Sequence, residues 1–316
     1  MLDDVRPGPN RIQIQTQSGC DGRCVFCPNK DIIKAGLPQG RMEPELFRKI
    51  IDELAETRPR RISPYLMNEP LLDKRLPEFV RYITEKVPDA TTLVTTNGTH
   101  LDRDLGKALI EAGLKRIKVS LQSLDADTNK RLMGAAVDSG EVVENVLGMR
   151  ALIKETRSEL DLRVSMIVTK LNLDEIDRAR RFWRKNGVRL VTSALENRGG
   201  NIGDAQSLNP HEMTAMGGDC VRPNREMCVL FNGDAVLCCV DWFRTTILGN
   251  VGETSVRDVW NGPRIEAIRQ GLRAGDGAVP KICRNCCESA SPDSHRRGLK
   301  GIAARWFGAR KKETAP

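Results

Sequence analysis

The chain has 316 residues, of which 40% are hydrophobic and 29% charged, and its formal net charge is +8. This composition predicts a globular protein with a sizeable core, and no apolar run approaches the ~20 residues that span a bilayer. Much of the basic excess lies in the last stretch, and aromatic residues make up only 4%, which argues against a nucleic-acid partner. Without an apolar signal stretch, the chain is expected to be cytoplasmic, with no membrane partner.

From residue 11 to about 195, β-rich runs alternate with amphipathic stretches at helical period, as in βαβ units. The predicted strands are 12–16, 61–67, 92–96, 116–121, 162–168 and 189–194. The predicted helices are 44–56, 76–86, 102–112, 141–154 and 173–185. Six such units predict an α/β fold, a partial (β/α)6 TIM-type barrel, in which chemistry is built at the C-terminal ends of the strands.

Three cysteines stand close together just after the first predicted strand. They are Cys20, Cys24 and Cys27 in the segment SGCDGRCVFCPNK. Three thiolates at this spacing, with no fourth nearby, suit an iron–sulfur cluster that leaves one iron open for another ligand. Structural zinc prefers four closed ligands, and a reducing cytosol disfavours disulfides. The spacing therefore favours a cluster.

This motif resembles that of the radical S-adenosylmethionine (radical SAM) enzymes. The resemblance implies that the three cysteines hold a [4Fe–4S] cluster and that S-adenosylmethionine (SAM) binds its open iron. One electron, from a reductant such as flavodoxin or ferredoxin, then splits SAM into methionine and a 5′-deoxyadenosyl radical, which abstracts hydrogen from carbon. The resemblance also assigns Phe26 to a contact with the adenine of SAM.

Further motifs lie at the predicted strand ends. By resemblance, the segment MNEP occupies the place of the family's GGEP motif, which holds the SAM amino group. The resemblance also places the end of strand four near the SAM ribose and carboxylate, and the end of strand six near the adenine. The residues assigned to SAM in this way are Met67, Asn68, Glu69, Pro70, Ser120, Asn197 and Gly199. Met67 and Asn68 depart from the pattern because they replace two glycines. As plain sequence features, Asn97–Gly98 and Gly199–Gly200 are ordinary turn pairs.

After about residue 205 the periodicity changes and seven further cysteines appear. The segment CVLFNGDAVLCC predicts a hairpin with its turn at Asn232–Gly233, and a helix is predicted at 255–270. The region resembles a twitch domain, the shortened form of the SPASM domain, which implies a second [4Fe–4S] cluster. Its ligands would be Cys220, Cys238, Cys283 and Cys286. A zinc ribbon closed by thiolates of this region is the alternative.

These patterns divide the chain into a radical SAM barrel at 1–205, a twitch domain at 206–290 and a basic, mobile tail at 291–316. Cys228, Cys239 and Cys287 have no ligand role in this interpretation. Cys228 reads as a small buried apolar residue. Cys239 would approach the barrel mouth if Cys238 faces the cluster, because neighbouring strand residues face opposite sides. There its thiol would donate a hydrogen atom to a substrate radical; packing or cluster ligation are the alternatives.

The resemblance extends over residues 12–287 and includes dehydrogenases and epimerases of aminoglycoside-type sugars and cyclitols, and maturases of ribosomal peptides. The chain starts about ten residues before strand one, without a leader-binding module, which favours a small saccharide or aminocyclitol substrate. We expect epimerisation with Cys239 as hydrogen donor, with dehydrogenation of a secondary alcohol as the alternative. A non-catalytic iron–sulfur protein and a nucleic-acid-modifying radical enzyme also stay open.

Overall fold

The computed structural model describes residues 8–216, 220–275 and 279–289. Its first part alternates strands and helices. The strands are β1 (Arg11–Ile14), β2 (Arg61–Ser63), β3 (Thr91–Thr96), β4 (Arg116–Ser120), β5 (Asp161–Ile167) and β6 (Arg189–Ser193). The helices are α1 (Asn29–Lys34), α2 (Pro44–Thr57), α3 (Leu76–Lys86), α4 (Arg103–Glu111), α5 (Ala126–Met133), α6 (Ser139–Glu155) and α7 (Ile176–Lys185). The predicted α/β architecture is confirmed.

The helices of this part begin and end where local signals stand in the sequence. Asp102, Asp125 and Asp138 cap α4, α5 and α6, because each side chain accepts a hydrogen bond from a backbone N–H three residues further on. Gly113 and Gly187 follow α4 and α7 with positive φ angles, as expected for helix ends. Local chemistry therefore sets these boundaries.

The C-terminal part consists of short elements. They are α8 (Ala205–Leu208), β7 (Met213–Ala215), β8 (Glu226–Val229), β9 (Asp234–Val236), β10 (Ile247–Asn250), α9 (Val256–Trp260), α10 (Pro263–Ala274), α11 (Lys281–Arg284) and β11 (Cys287–Ser289). β8 and β9 form the predicted hairpin. The prediction of one helix at 255–270 is wrong, because Pro263 disfavours helical backbone in the residue before it and Gly262 is extended.

Among the described residues, nine strands form one sheet in the order β10-β9-β8-β1-β2-β3-β4-β5-β6. β1 to β6 are parallel neighbours, and β8 pairs with the free edge of β1 in parallel, with Cys228 opposite Gln13. β9 and β10 continue the sheet antiparallel, while β7 and β11 pair separately. The hairpin therefore extends the barrel's own sheet.

The sheet packs its outer face against the helices. Ile12 and Ile14 of β1, for example, are fully buried with Phe47 and Ile50 of α2. Alternate residues face the concave side, which we call the lumen; Gln13, Lys118 and Ser165 are among them. In the described part of the chain, no helix is long and apolar enough to cross a membrane. The predicted tail at 291–316 lies outside the described residues.

Candidate active site

The first three cysteines lie in the loop between β1 and α1. Cys20, Cys24 and Cys27 are all half-buried. The Cys27 N–H donates to the Cys24 carbonyl (3.1 Å), which tightens the loop, and the backbone N–H groups of Arg23 and Val25 donate to carbonyls at the end of α5. These bonds hold the loop against the barrel and keep the three thiols at one end of the sheet.

The three thiols act on one another electrostatically. Burial raises the pKa of Cys20 to about 12 and also raises the pKa of Cys24 and Cys27. The neighbouring thiols raise the pKa of Cys24 further, which places the three sulfurs within electrostatic reach. Thiols in such surroundings need positive charge to ionise, and bound iron supplies it. The donor set therefore fits an iron–sulfur cluster.

Glu69 lies just beyond β2 and is 2% exposed. Its carboxylate accepts hydrogen bonds from the Thr96 hydroxyl (2.6 Å) and from the N–H groups of Asn97 (2.7 Å) and Leu71 (3.0 Å). Its own N–H donates to the Gly19 carbonyl (2.9 Å), directly before the first cysteine. Burial raises the pKa of Glu69 to about 7 in spite of these bonds. A ligand ammonium would stabilise the buried charge, so Glu69 fits the predicted amino-group site.

Met67 and Asn68 stand where the family motif has glycines. Met67 has a φ of +54°, in the left-handed region that favours glycine. The Asn68 side chain accepts a hydrogen bond from the Leu66 N–H (2.9 Å), and Pro70 begins a short 3-10 turn. A non-glycine residue in this region costs on the order of 1–2 kcal/mol. The surrounding contacts therefore impose a glycine-like turn despite the substitutions, and β2 ends at Ser63, earlier than predicted.

Asp21 joins the cysteine loop to the end of β3. The Asn97 side-chain amide donates to its Oδ1 (2.6 Å), and His100 Nε2 lies 2.9 Å from its Oδ2. Neither Asp21 nor His100 belongs to a motif recognised in the sequence, although Asp21 directly follows Cys20. The contacts fasten the cysteine loop after β1 to the end of β3, beside the first cysteines.

Two further residues assigned to SAM are Phe26, in the cysteine loop, and Ser120, in β4. Phe26 is 6% exposed and belongs to the main core cluster. Ser120 ends β4 on the lumen side and is half-buried. Their contacts with adenine and with the ribose and carboxylate stay predictions.

The segment after β6 is bound to the C-terminal cysteine region. The Asn197 side chain donates to the Asn285 carbonyl (2.7 Å) and accepts from the Cys287 N–H (2.9 Å). Gly199 has a φ of +70°, and a Cβ there would overlap the Ile282 side chain. These bonds serve the contact between the barrel and the C-terminal region, and a role of Asn197 or Gly199 at the adenine stays a prediction.

The four cysteines of the predicted second cluster line one small cavity. They are Cys220, Cys238, Cys283 and Cys286. The rest of the lining is apolar except for Arg222, whose positive charge lies near these thiols. Burial raises the pKa of Cys238 and raises that of Cys283 to about 11. Four thiols around one cavity fit a second cluster.

The arrangement of donors bears on the zinc alternative. Within residues 8–216, 220–275 and 279–289, no three Cys, His, Asp or Glu side chains surround a single metal-ion position. A zinc site needs such convergence, whereas a [4Fe–4S] cluster spreads its thiolates over separate irons. Metal analysis of the isolated protein therefore decides between a cluster and zinc at the second site.

Cys239 faces different surroundings from Cys238. It does not belong to the lining of the four-cysteine cavity. It borders both the apolar cluster around Cys238 and a second apolar cluster that contains Met67, Cys228 and Trp242 and is also bordered by Cys27. Cys239 therefore lies between the two cysteine sites.

Charged side chains that belong to no recognised sequence motif lie near the Cys239 thiol. Glu196 forms ion pairs with Arg198 (3.5 Å) and with Arg222. Burial raises the pKa of Cys239 to about 11, while the charge of Arg222 acts in the opposite direction. Glu196 and Arg198 flank Asn197, which the resemblance assigns to SAM, but neither belongs to a motif recognised in the sequence. Burial thus favours the neutral thiol of Cys239 over its thiolate.

A partial barrel with three cysteines after its first strand and four in an added C-terminal region defines a class of iron–sulfur enzymes. The sequence profile of the radical SAM superfamily matches residues 14–190, and the chain belongs to this superfamily. The profile of the SPASM iron–sulfur cluster-binding domain matches residues 220–287. Membership implies a [4Fe–4S] cluster and SAM as cofactors, and the C-terminal match implies further iron–sulfur binding.

Among characterised proteins, the chain is 25% identical over 281 residues to the S-adenosyl-L-methionine-dependent 2-deoxy-scyllo-inosamine dehydrogenase of Niallia circulans, covering 87% of this chain and 91% of that protein. It is 33% identical over 196 residues to the GTP 3′,8-cyclase of Aquifex aeolicus, but covers only 58% of that protein.

Two solved structures share the fold. BtrN in complex with AdoMet and 2-DOIA has a TM-score of 0.58 at 22% identity, over 88% of this chain and 92% of that one. Streptococcus suis SuiB bound to precursor peptide SuiA has a TM-score of 0.66 at 17% identity, over 88% and 71%. At these identities the likeness supports the fold alone.

Proposed function

We propose that this protein inverts a carbon centre of a small sugar or cyclitol by radical chemistry, with Cys239 as the hydrogen-atom donor. The observation that carries the proposal is the position of Cys239 between the two cysteine sites, outside the cavity lined by Cys238. A thiol in that position is available to a substrate radical, whereas a ligand thiolate has no S–H hydrogen to give.

When bound, the first cluster and SAM supply a carbon radical that removes one hydrogen atom from a substrate carbon bearing a hydroxyl or ring oxygen. Cys239 then gives its S–H hydrogen to the opposite face of that carbon, so a new C–H bond forms as the S–H bond breaks. Cys239 is left as a thiyl radical. A one-electron reductant, such as flavodoxin or ferredoxin, and a solvent proton restore the thiol.

Dehydrogenation of a secondary alcohol to a ketone is the second candidate. It is favoured by the likeness to a dehydrogenase over 91% of that protein's length. In that reaction a base would take a proton from the substrate radical, and a second cluster held by Cys220, Cys238, Cys283 and Cys286 would supply the electron acceptor, so no thiol is needed. The structure of SuiB with a precursor peptide keeps a peptide substrate as a further option.

Turnover in deuterated water tests the proposal, because a thiol exchanges its proton with solvent. The reconstituted protein is incubated with SAM, a strong reductant and either 2-deoxy-scyllo-inosamine or a panel of sugars and sugar acids, and the products are examined by mass spectrometry. We expect one deuterium at an inverted carbon. The Cys239→Ala variant is expected to keep substrate-dependent 5′-deoxyadenosine formation and to lose inversion.

Cys228→Ala is the matched control, since Cys228 is a fully buried thiol of the same apolar cluster. It is expected to keep inversion. A ketone product formed equally well by Cys239→Ala would refute the epimerase proposal and support the dehydrogenase instead.

A further inference from the structure

Lys118 lies in the middle of β4 on the lumen side. Its neighbours Ile117 and Val119 are fully buried in the core outside the sheet, so the alternation of the strand directs Lys118 inward. In register it stands beside Thr95 of β3 and Arg163 of β5. A lysine at such a position is uncommon, because ammonium groups are rarely placed inside a barrel without a partner.

Three acidic side chains lie near this part of the lumen, and arginines already pair with each of them. The pairs are Arg61–Glu226, Arg163–Asp161, Arg116–Asp161, Arg198–Glu196 and Arg222–Glu196. The side chain of Lys118 makes no hydrogen bond or ion pair with any residue that the structure describes. The Lys118 ammonium is thus half-buried, and no acidic side chain among the described residues pairs with it.

The charges that act on Lys118 are all positive. Burial lowers its pKa, and Arg61, Arg198 and Arg163 lower it further. An amine that is partly removed from water and surrounded by guanidinium groups is destabilised as a cation until an anion joins it. The local charge balance therefore favours an anionic ligand over a neutral or cationic one.

The same position adjoins the proposed reaction centre. The Thr95 hydroxyl, next to Lys118, donates to the Tyr65 hydroxyl (2.7 Å), and Tyr65 lies within electrostatic reach of Cys239. Ser120, the predicted SAM contact, follows two residues later on the same strand face, about 7 Å further along the lumen. A small molecule held at Lys118 would therefore extend between Ser120 and Cys239.

We infer that Lys118 binds an anionic group of the substrate, a carboxylate or a phosphate ester, inside the lumen. The inference rests on the proposed function, because it places the substrate beside Cys239. It narrows the substrate class from sugars and cyclitols in general to those that carry an acid group, and it excludes a purely cationic aminocyclitol.

Thermal unfolding of the cluster-loaded, SAM-bound protein tests the inference with three probes: glucuronate, glucose 6-phosphate and uncharged glucose. At least one anionic probe is expected to raise the Tm at millimolar concentration, and glucose is not. Lys118→Met is expected to weaken the apparent affinity for that probe at least tenfold, and Lys118→Arg to restore it to within about threefold. Which anion stabilises the protein separates a carboxylate from a phosphate ester.

Labelling of the wild-type protein removes any dependence on variant folding. Acetic anhydride acetylates Lys118 and the exposed Lys107, whose side chain is 61% accessible, and mass spectrometry compares the two. The anionic probe is expected to protect Lys118 and not Lys107. Equal effects of glucose and both anions, or no protection, would overturn the inference. Formation of 5′-deoxyadenosine is measured separately, so failure of the radical chemistry is distinguished from failure of anion binding.

Discussion

The backbone N–H of Asn97 donates a 2.7 Å hydrogen bond to the carboxylate of Glu69 and so joins the ends of two neighbouring barrel strands. The Thr96 hydroxyl and the Leu71 N–H complete the shell around the same carboxylate. These partners are neutral donors, and within the described residues Glu69 has no ion pair with a cation. The buried acid is therefore held in place but lacks a counter-charge, which a bound ammonium group would provide.

Replacing Glu69 by Gln is expected to weaken SAM binding tenfold to a hundredfold. The change removes the negative charge and leaves a similar shape, and a hydrogen bond to a charged group contributes about 1.5–3 kcal/mol. Equilibrium binding of SAM to the reconstituted protein measures the effect, and iron content is the control, since Glu69 is not a cluster ligand. Unchanged SAM affinity would show that the MNEP segment is not the amino-group site.

The pKa of Glu69, raised from an ordinary 4.5 to about 7, predicts a pH dependence. Between these values the folded, ligand-free protein binds more protons than the unfolded chain, so stability falls as the pH rises from about 4.5 to about 7. The loss is on the order of 3 kcal/mol and persists above pH 7. Urea unfolding at pH 5 and pH 7.5 measures it, and Glu69→Gln is expected to remove it. Parallel pH profiles for the two proteins would contradict the prediction.

Anaerobic reconstitution is expected to give about eight irons per chain, four for each [4Fe–4S] cluster. Changing Cys20, Cys24 and Cys27 together to Ala is expected to leave about four irons. Changing Cys283 and Cys286 to Ala is expected to remove the four irons of the second cluster. This variant is expected to cleave SAM still when no substrate is present. The iron and zinc contents of the anaerobically isolated protein test this prediction. Stoichiometric zinc at the second site would contradict the prediction of a second cluster.

Gly199→Ala is expected to destabilise the contact between the barrel and the C-terminal region. The added Cβ would overlap Ile282, and the φ of +70° disfavours any side chain. Overpacking of this kind costs about 1–3 kcal/mol. Gly203→Ala is the control, because a Cβ there meets nothing within 4 Å. Thermal unfolding and iron content measure the effect; we expect Gly199→Ala, and not Gly203→Ala, to lose iron from the second cluster first.

Much of the barrel follows from local sequence. Helix α3 has the predicted bounds, and β3, predicted at 92–96, spans Thr91–Thr96, because apolar periodicity and capping residues act within a few positions of one another. The first cysteine loop is equally local, since three ligands within eight residues need only one turn of chain. The second strand, predicted at 61–67, ends at Ser63, since Pro64 offers no N–H to a ladder and Met67 is left-handed.

Only the tertiary structure decides which distant residues meet. The residues around Cys228 do not indicate that β8 pairs with β1. Nor does the local sequence indicate that Asn197 bonds to Asn285, or that Lys118 lies near several arginines and has no acidic partner among the described residues. Such contacts depend on strand register and on the path of the chain, and they join residues up to 215 positions apart, as for Gln13 and Cys228. Whether a charge is compensated depends in the same way on its neighbours in space. The cysteine spacing by itself indicated the class of cofactor, because its ligands are neighbours in the chain. The fold decided that Cys239 lies between the two cysteine sites and that the Lys118 side chain has no acidic partner among the described residues.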